Sequence, residues 1–447
     1  LFIIGGMLSI LLLSACGGGG GSSSPKPTGA IQTTDTGTTQ TPNTDTTQTQ
    51  NLGSANFVAG IFQPSSIFKD SCGAPRISST SETFPDMQGS FEDEGYWLRS
   101  WSNDTYLWYD EIQDRDPGLY ATSAAGVAEY FDLLKTEATT PSGNPKDRFH
   151  FTRDTAEYVA RSQRGITFGY GATYKLISSS APRELVVVLV NENSPAADAG
   201  LQRGARIVTV DGVDLINGSD TDTLNAGLWP NQVNEDHDFE VLDPGSTDRR
   251  AITMTSAQID TDAVPETRII ATDSGNVGYL LFTDHILTAE QQLTDAVTQM
   301  RNANVTDLVL DLRYNQGGFL YLANQVSYMI AGEGVSGQIF NSLQFNEKNP
   351  GVNPVTGGAV SPNVFLTTTT ENAAPAGAAL PTLELPQPRV FVLTTGSTCS
   401  ASEAIINGLR GVGFEVIQFG STTCGKPYGF YPQDNCGTTY FTTQFRS

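Results

Sequence analysis

Six residues, DLVLDL at positions 307–312, constrain the fold of this chain more than any other stretch. They form a near-continuous apolar run of strand length, and a strand that is apolar on both faces must be covered on both. That arrangement belongs chiefly to parallel sheets flanked by helices. The neighbouring segments agree. Thr288 to Ala303 has the spacing of an amphipathic helix, and Phe319 to Ile330 is helical as well. Val277 to Phe282, Val390 to Leu393 and Phe414 to Phe419 read as further strands, with a helix over Ala401 to Leu409. The alternation predicts an α/β core over residues 259–447. Within it, residues 334–388, rich in Gly, Pro, Thr and Asn, read as a long surface excursion. A last strand is expected over Thr438 to Phe445.

The chain ahead of the core divides by texture. Leu1 to Leu13 (LFIIGGMLSILLL) is uncharged and, at 13 residues, shorter than the ~20 needed to span a bilayer, which fits the apolar region of a signal peptide over residues 1–15. The basic segment that normally precedes it is missing and the first residue is Leu, so the true start is expected upstream. Leu13-Ser14-Ala15-Cys16 resembles the lipobox of bacterial lipoproteins, in which the cysteine is acylated. That resemblance implies a lipid anchor at Cys16, an envelope location on the periplasmic face of the outer membrane, and a tether over residues 16–68. The Gly, Ser, Thr, Gln and Asn composition of the tether suits a flexible spacer, since it offers little apolar surface to bury.

Residues 69–160 carry Tyr96, Trp97, Trp101, Tyr106, Trp108, Tyr130 and Phe131 at near-helical spacing, which predicts a helical region with an aromatic core. Residues 161–258 turn β-rich. Leu185 to Val190 reads as a buried strand, Ser194 to Leu201 as a short helix closed by Gly200, and Arg206 to Val210 as a strand ending in a tight Asp211-Gly212 turn.

Charge excludes some partners. With 25 Lys and Arg against 48 Asp and Glu the chain carries −23, and it has no basic run. Nucleic acid and anionic lipid surfaces reward the neutralisation of phosphates, so neither is expected as a partner. Apart from Cys16 there are four cysteines, Cys72, Cys399, Cys424 and Cys436, an even number suited to disulfides in an oxidising compartment. Four cysteines allow three pairings. Their spacings match no zinc site, the three histidines are scattered, and no metal or cofactor is expected.

Chemistry is expected where strands of an open α/β sheet end. Arg313-Tyr314-Asn315-Gln316-Gly317-Gly318 follows the first strand named above. Gly396 to Glu403, containing Cys399-Ser400-Ala401-Ser402-Glu403, follows the strand at 390–393. Gly420 to Lys426 follows the strand at 414–419. Ser400-x-x-Glu403 alone reads as a helix-capping box. Gly420-x-x-x-x-Gly425-Lys426 approaches a phosphate-binding loop, but Pro427 stands where a hydroxyl should bind magnesium. A Ser-His-Asp triad lacks a histidine in these loops, leaving His285 beside Asp284 as its only candidate.

Two resemblances bring these pieces together. SPAADAGLQRGARIVTVDG, residues 194–212, resembles a PDZ domain of the bacterial protease type. Such domains add a peptide C-terminus to a sheet edge, and Phe168, Gly169 and Tyr170 occupy the place of the carboxylate-binding loop. The order DLR-x-N-x-GG, TCSASE, then glycine and lysine resembles the C-terminal processing peptidases, serine endopeptidases with a PDZ domain and a crotonase-like core. The resemblance implies Ser400 as nucleophile and Lys426 as base, with backbone donors of Gly317, Gly318 and Ala401 forming the oxyanion hole. Its expected partners are protein or peptide substrates with free C-termini. A serine needs a base to take its proton, and a lysine acts as one only when its environment disfavours the ammonium, as the apolar Pro427, Tyr428 and Phe430 suggest.

Relatives usually carry a glutamine four residues after the lysine, where this chain has Phe430. The nearest glutamine is Gln433. That departure favours an alternative, a catalytically silent PDZ-bearing scaffold lipoprotein. If Ser400 and Lys426 meet, Cys399 and Cys424 come close enough to pair, which is the favoured bridge. Cys424–Cys436 competes with it, and Cys72 can pair with any of the others.

Overall fold

The Ser90 hydroxyl accepts the Asp93 N–H while the Asp93 carboxylate accepts the Ser90 N–H, a capping box that starts helix α1 (Phe91–Thr105). The computed structural model describes residues 56–79, 82–230 and 232–447, so the expected signal segment, Cys16 and most of the tether lie outside the described residues. On α1, Trp97 and Trp101 stack at 5.2 Å and bury against Tyr130 and Phe131 of α2 (Ala124–Asp132). Of the aromatic side chains expected to form a core, Tyr96, Trp97, Trp101, Tyr130 and Phe131 do so, whereas Tyr106 is buried outside this cluster and Trp108 is only half-buried. The cluster also includes Tyr440, from near the other end of the chain.

A short strand not foreseen in this region, β1 (Phe151–Asp154), leads into α3 (Thr155–Arg164). Three half-buried residues and an exposed Asp154 have no readable alternation, and the strand exists because it pairs with residues 438–441. The disulfide Cys72–Cys436 ties the same two ends of the sequence together.

The β-rich region supplies β2 (Ile166–Gly169), β3 (Ala172–Ser178), β4 (Glu184–Val190), α4 (Pro195–Asp198), β5 (Arg206–Val210), α5 (Thr221–Leu228), β6 (Asp236–Leu242), β7 (Arg249–Thr255) and β8 (Ala257–Asp260). The main sheet runs β7-β6-β5-β4-β3, all antiparallel, which leaves β3 at an edge beside its own core. Strand β4 is not buried on both faces: Leu185 and Val187 face inward while their neighbours are half-exposed, as a sheet covered on one side requires. Strand β2 stands apart, paired with β8.

The core follows with β9 (Glu266–Thr272), β10 (Gly275–Leu281), α6 (Ala289–Asn302), β11 (Val305–Asp311), α7 (Leu320–Ala331), β12 (Arg389–Thr394), α8 (Ala401–Gly411), β13 (Glu415–Gly420), β14 (Gln433–Asn435) and β15 (Thr438–Phe441). The sheet order is β9-β10-β11-β12-β13, parallel except for β9. Leu308, Leu310 and Leu312 are at most 1% exposed and pack with Leu293, Leu322, Val326 and Ile405 of the three helices, each such side chain contributing about 1.5–3 kcal/mol. The excursion after α7 is held down by polar staples. Asn324 bonds Val364 O and Leu366 N at 2.9 and 2.7 Å, and buried Glu290 accepts the Thr370 N–H at 2.6 Å. No helix among the described residues is long and apolar enough to cross a membrane.

Candidate active site

Strand register decides which loops meet. Asp311 lies level with Leu393, and Leu393 with Phe419, so β11, β12 and β13 end together and release their loops side by side. The loops are then laced. Thr398 Oγ1 donates to Leu312 O at 2.7 Å, Cys399 N–H to Asn315 O at 3.2 Å, Ser421 N–H to Thr394 O at 3.1 Å and Cys424 N–H to Thr398 O at 3.0 Å. Cys399 and Cys424 are disulfide-bonded, the favoured pairing, and Cys72 takes Cys436.

Ser400 stands at the N-terminus of α8 with φ 55° and ψ −115°, a left-handed conformation that non-glycine residues rarely hold outside functional sites. Its N–H donates to Glu403 Oε2 at 2.9 Å, the Glu403 half of the expected capping box. Glu403 does more than cap. The same Oε2 accepts the Lys426 N–H at 2.9 Å, while Oε1 accepts the Thr423 hydroxyl at 2.7 Å and the Gly425 N–H at 2.8 Å. Lys426 is buried, its Nζ 4.1 Å from the Phe430 ring centroid and 4.8 Å from that of Phe149. Ser400, Lys426, Gly318 and Ala401 line one cavity of about 670 Å³, walled by Phe340, Leu343 and Tyr428.

The glycine pair abuts the serine. A Cβ on Gly317 (φ 96°) would come within 2.9 Å of Ser400 Cβ and Ala401 N, and one on Gly318 (φ 143°) within 2.3 Å of His285 O. No other residue fits either position. The Gly317 N–H, expected in the oxyanion hole, is committed to Asn315 Oδ1 at 2.9 Å. Gly318 and Ala401 keep N–H groups with no partner among the described residues, the latter because first-turn amides of a helix have none within it. Of the three N–H groups expected as oxyanion donors, that of Gly317 is therefore already engaged, while those of Gly318 and Ala401 remain available.

The histidine alternative is not built. Asp284 pairs with Arg161 at 3.1 Å, and buried His285 bonds Asn315 Oδ1 through Nδ1 at 2.9 Å. Burial pushes the His285 pKa down to about 3. The Gln433 side-chain amide donates to Pro432 O at 2.9 Å. Cys399, Glu403 and Cys424 are grouped closely enough for a metal, but both sulfurs are in the disulfide and the carboxylate is occupied by backbone and hydroxyl donors.

Sequence reasoning gave no role to Asn315, which the structure places between the two loops, and none beyond helix capping to Glu403. It also missed Phe149, Trp108 and Arg148 of the N-terminal region. Trp108 meets Tyr428 edge-on at 5.0 Å, and Arg148 donates to Cys424 O at 3.3 Å. The loop Phe168-Gly169-Tyr170 leads directly into edge strand β3. Phe168 is exposed, while Tyr170 is buried and its hydroxyl donates to Gly227 O at 2.9 Å. From this region Lys175 donates to Ser397 Oγ at 3.0 Å, and Arg203 lies 5.4 Å from the Tyr314 ring.

A serine at positive φ at a helix start, beside backbone N–H groups without a partner among the described residues and downstream of a sheet with an edge strand, is the layout of a PDZ-bearing serine hydrolase core. Residues 276–430 match the model of peptidase family S41, and residues 186–226 match that of the PDZ domain. The core of this chain is a peptidase family S41 domain with a PDZ domain upstream. A carboxyl-terminal-processing protease of Synechocystis sp. is 28% identical over 141 residues, which cover 31% of this chain and 32% of that relative. An S41 protease structure from Bacteroides fragilis superimposes with TM-score 0.56 at 20% identity, covering 82% of this chain and 86% of its own, and so shows the fold. A photosystem II D1 C-terminal processing protease gives TM-score 0.46 at 17% identity, covering 80% and 88%.

Proposed function

We propose that this chain is a lipid-anchored serine endopeptidase of the bacterial cell envelope that recruits substrate C-termini through its PDZ domain and cuts peptide bonds with Ser400 and Lys426. The observation that carries the reading is the shared cavity lined by Ser400, Lys426 and the Gly318 and Ala401 amides, which have no partner among the described residues. Ser400 Oγ attacks the scissile carbonyl carbon as Lys426 Nζ takes its proton. The carbonyl oxygen becomes an oxyanion facing the two N–H groups, and Lys426 then protonates the leaving amine. Water repeats the cycle on the acyl-enzyme. Acylation at Cys16 and the periplasmic face of the outer membrane as its location rest on the Leu13-Ser14-Ala15-Cys16 sequence.

The test is cleavage of an unfolded reporter protein by wild type, Ser400→Ala and Lys426→Ala. Both variants should lose turnover while keeping their fold, and wild-type activity should rise with pH as the base loses its proton. Full activity in either variant refutes the dyad. The second reading, a silent PDZ scaffold, is favoured by one feature, the Phe430 ring where relatives carry a glutamine. It predicts peptide binding without cleavage in all three proteins.

A further inference from the structure

The Gly317–Gly318 peptide is the piece of the oxyanion hole least able to hold itself. Glycine has no side chain to resist rotation, so this peptide plane turns readily, and a half-turn would aim a carbonyl instead of an N–H at the substrate oxygen. In a trans peptide the C=O and N–H point in opposite directions. The Gly317 carbonyl accepts the His285 N–H at 3.2 Å, which sends the Gly318 N–H the other way. One residue back, the Gly317 N–H is fixed on Asn315 Oδ1.

We propose that Asn315 is the positioning residue of the oxyanion hole, setting both of its donors at once. Its side chain sets the first. Oδ1 accepts from Gly317 N–H and from His285 Nδ1–H, each at 2.9 Å, and Nδ2 donates to Phe282 O at 3.0 Å, so three of the four hydrogen-bonding positions of the amide are engaged. Its main chain sets the second. The Asn315 carbonyl accepts the Cys399 N–H at 3.2 Å and the Ser402 hydroxyl at 3.1 Å, the residues on either side of Ser400 and Ala401. Asn315 has no exposed surface, so water cannot replace these bonds. An amide oxygen can only accept, so the His285 Nδ1 that faces it carries the ring proton, which gives the ring a role in the hole without contact with substrate.

The inference rests on the peptidase reading and is tested by separating ground-state from transition-state affinity. A peptide boronic acid mimics the tetrahedral state: Ser400 Oγ bonds to boron, which becomes a four-coordinate anion, and the hydroxyl proton leaves to Lys426 or solvent. In Asn315→Ala, kcat should fall about 100-fold, the cost of losing one oxyanion donor, with KM within twofold, and boronate affinity should fall by the same factor as kcat/KM. Asn315→Ser, whose hydroxyl can still accept the Gly317 N–H, should recover part of the loss. Retained binding of a C-terminal peptide by the PDZ domain shows that each variant is folded. Equal losses in substrate and boronate affinity, or losses under threefold, overturn the proposal, as does failure of both variants to fold. A wild-type protein that neither cuts peptides nor binds the boronate removes the peptidase reading instead.

Discussion

Glu403 Oε2 receives the backbone N–H of Ser400 and that of Lys426, each at 2.9 Å. One carboxylate oxygen thereby sets the spacing of two residues that belong to different loops. Replacing Glu403 by Gln keeps the shape but turns one acceptor into a donor, which then faces N–H groups. Glu403→Gln and Glu403→Ala should therefore be alike in lowering kcat, by about 10- to 100-fold, because a displacement near 1 Å costs that much. Steady-state kinetics on both decide it. A Gln variant as active as wild type would show that the carboxylate only caps α8.

The disulfide Cys399–Cys424 joins the same two loops, so it and Glu403 are two fastenings of one gap. Closing a loop of 25 residues stabilises by about 3.5 kcal/mol in the chain-entropy model. Reduction, or Cys399→Ser with Cys424→Ser, should lower the thermal midpoint yet change kcat only a few-fold while Glu403 is present. In the Glu403→Gln background the same change should remove the remaining activity, and this non-additivity is the reading to look for. Simple additivity of the two effects would mean the fastenings act on different parts of the site.

The core was readable because its strands and helices differ in period, and because Gly317, Gly318 and Ser400 sit where β11 and β12 must end. Contacts of the excursion and of the N-terminal region were not, since nothing local encodes a partner hundreds of residues away. Phe149 beside Lys426 and β1 against β15 are both of this kind. Asn315 and Glu403 were visible as letters of their motifs, but their importance lies in how many bonds converge on each, and spacing alone does not count bonds. Nor does the sequence tell that the Gly317 N–H is already engaged, since that depends on where the Asn315 side chain turns.

Edge strand β3 follows immediately on Phe168-Gly169-Tyr170, and Tyr170 fixes that loop to Gly227 near the end of α5. A peptide added along β3 would bring its terminal carboxylate to this loop. Substrates ending in a free, apolar C-terminus should be cut several-fold faster than the same chains with an amidated end. Matched pairs of fluorogenic substrates measure this directly, and equal rates would separate recruitment from the PDZ domain. Gly169→Asp should narrow the difference between the pair, since a carboxylate placed in the loop repels the one it binds.

Stability should peak near neutral pH, for reasons that can be assigned to three buried groups. Burial holds His150 down to about 4 and His285 down to about 3, against roughly 6.5 when unfolded. Below that value the unfolded chain binds more protons than the native one, so stability is full above about pH 6.5 and is lost as pH falls toward 4 and 3. Glu94 acts in the opposite sense. Burial raises its pKa to about 7 from the usual carboxylate range, so its native form prefers the proton, and its contribution is full below about pH 4.5 and lost as pH rises toward 7. Glu94 accepts the Gly73 N–H at 2.8 Å through one oxygen, a bond that a glutamine oxygen can keep. Glu94→Gln should consequently melt higher than wild type at pH 8, match it near pH 4.5, and leave the acid limb from the histidines in place. Thermal midpoints of the two proteins across that range provide the check, and a glutamine variant that gains nothing at pH 8 would show that the native carboxyl is already ionised at neutral pH without cost.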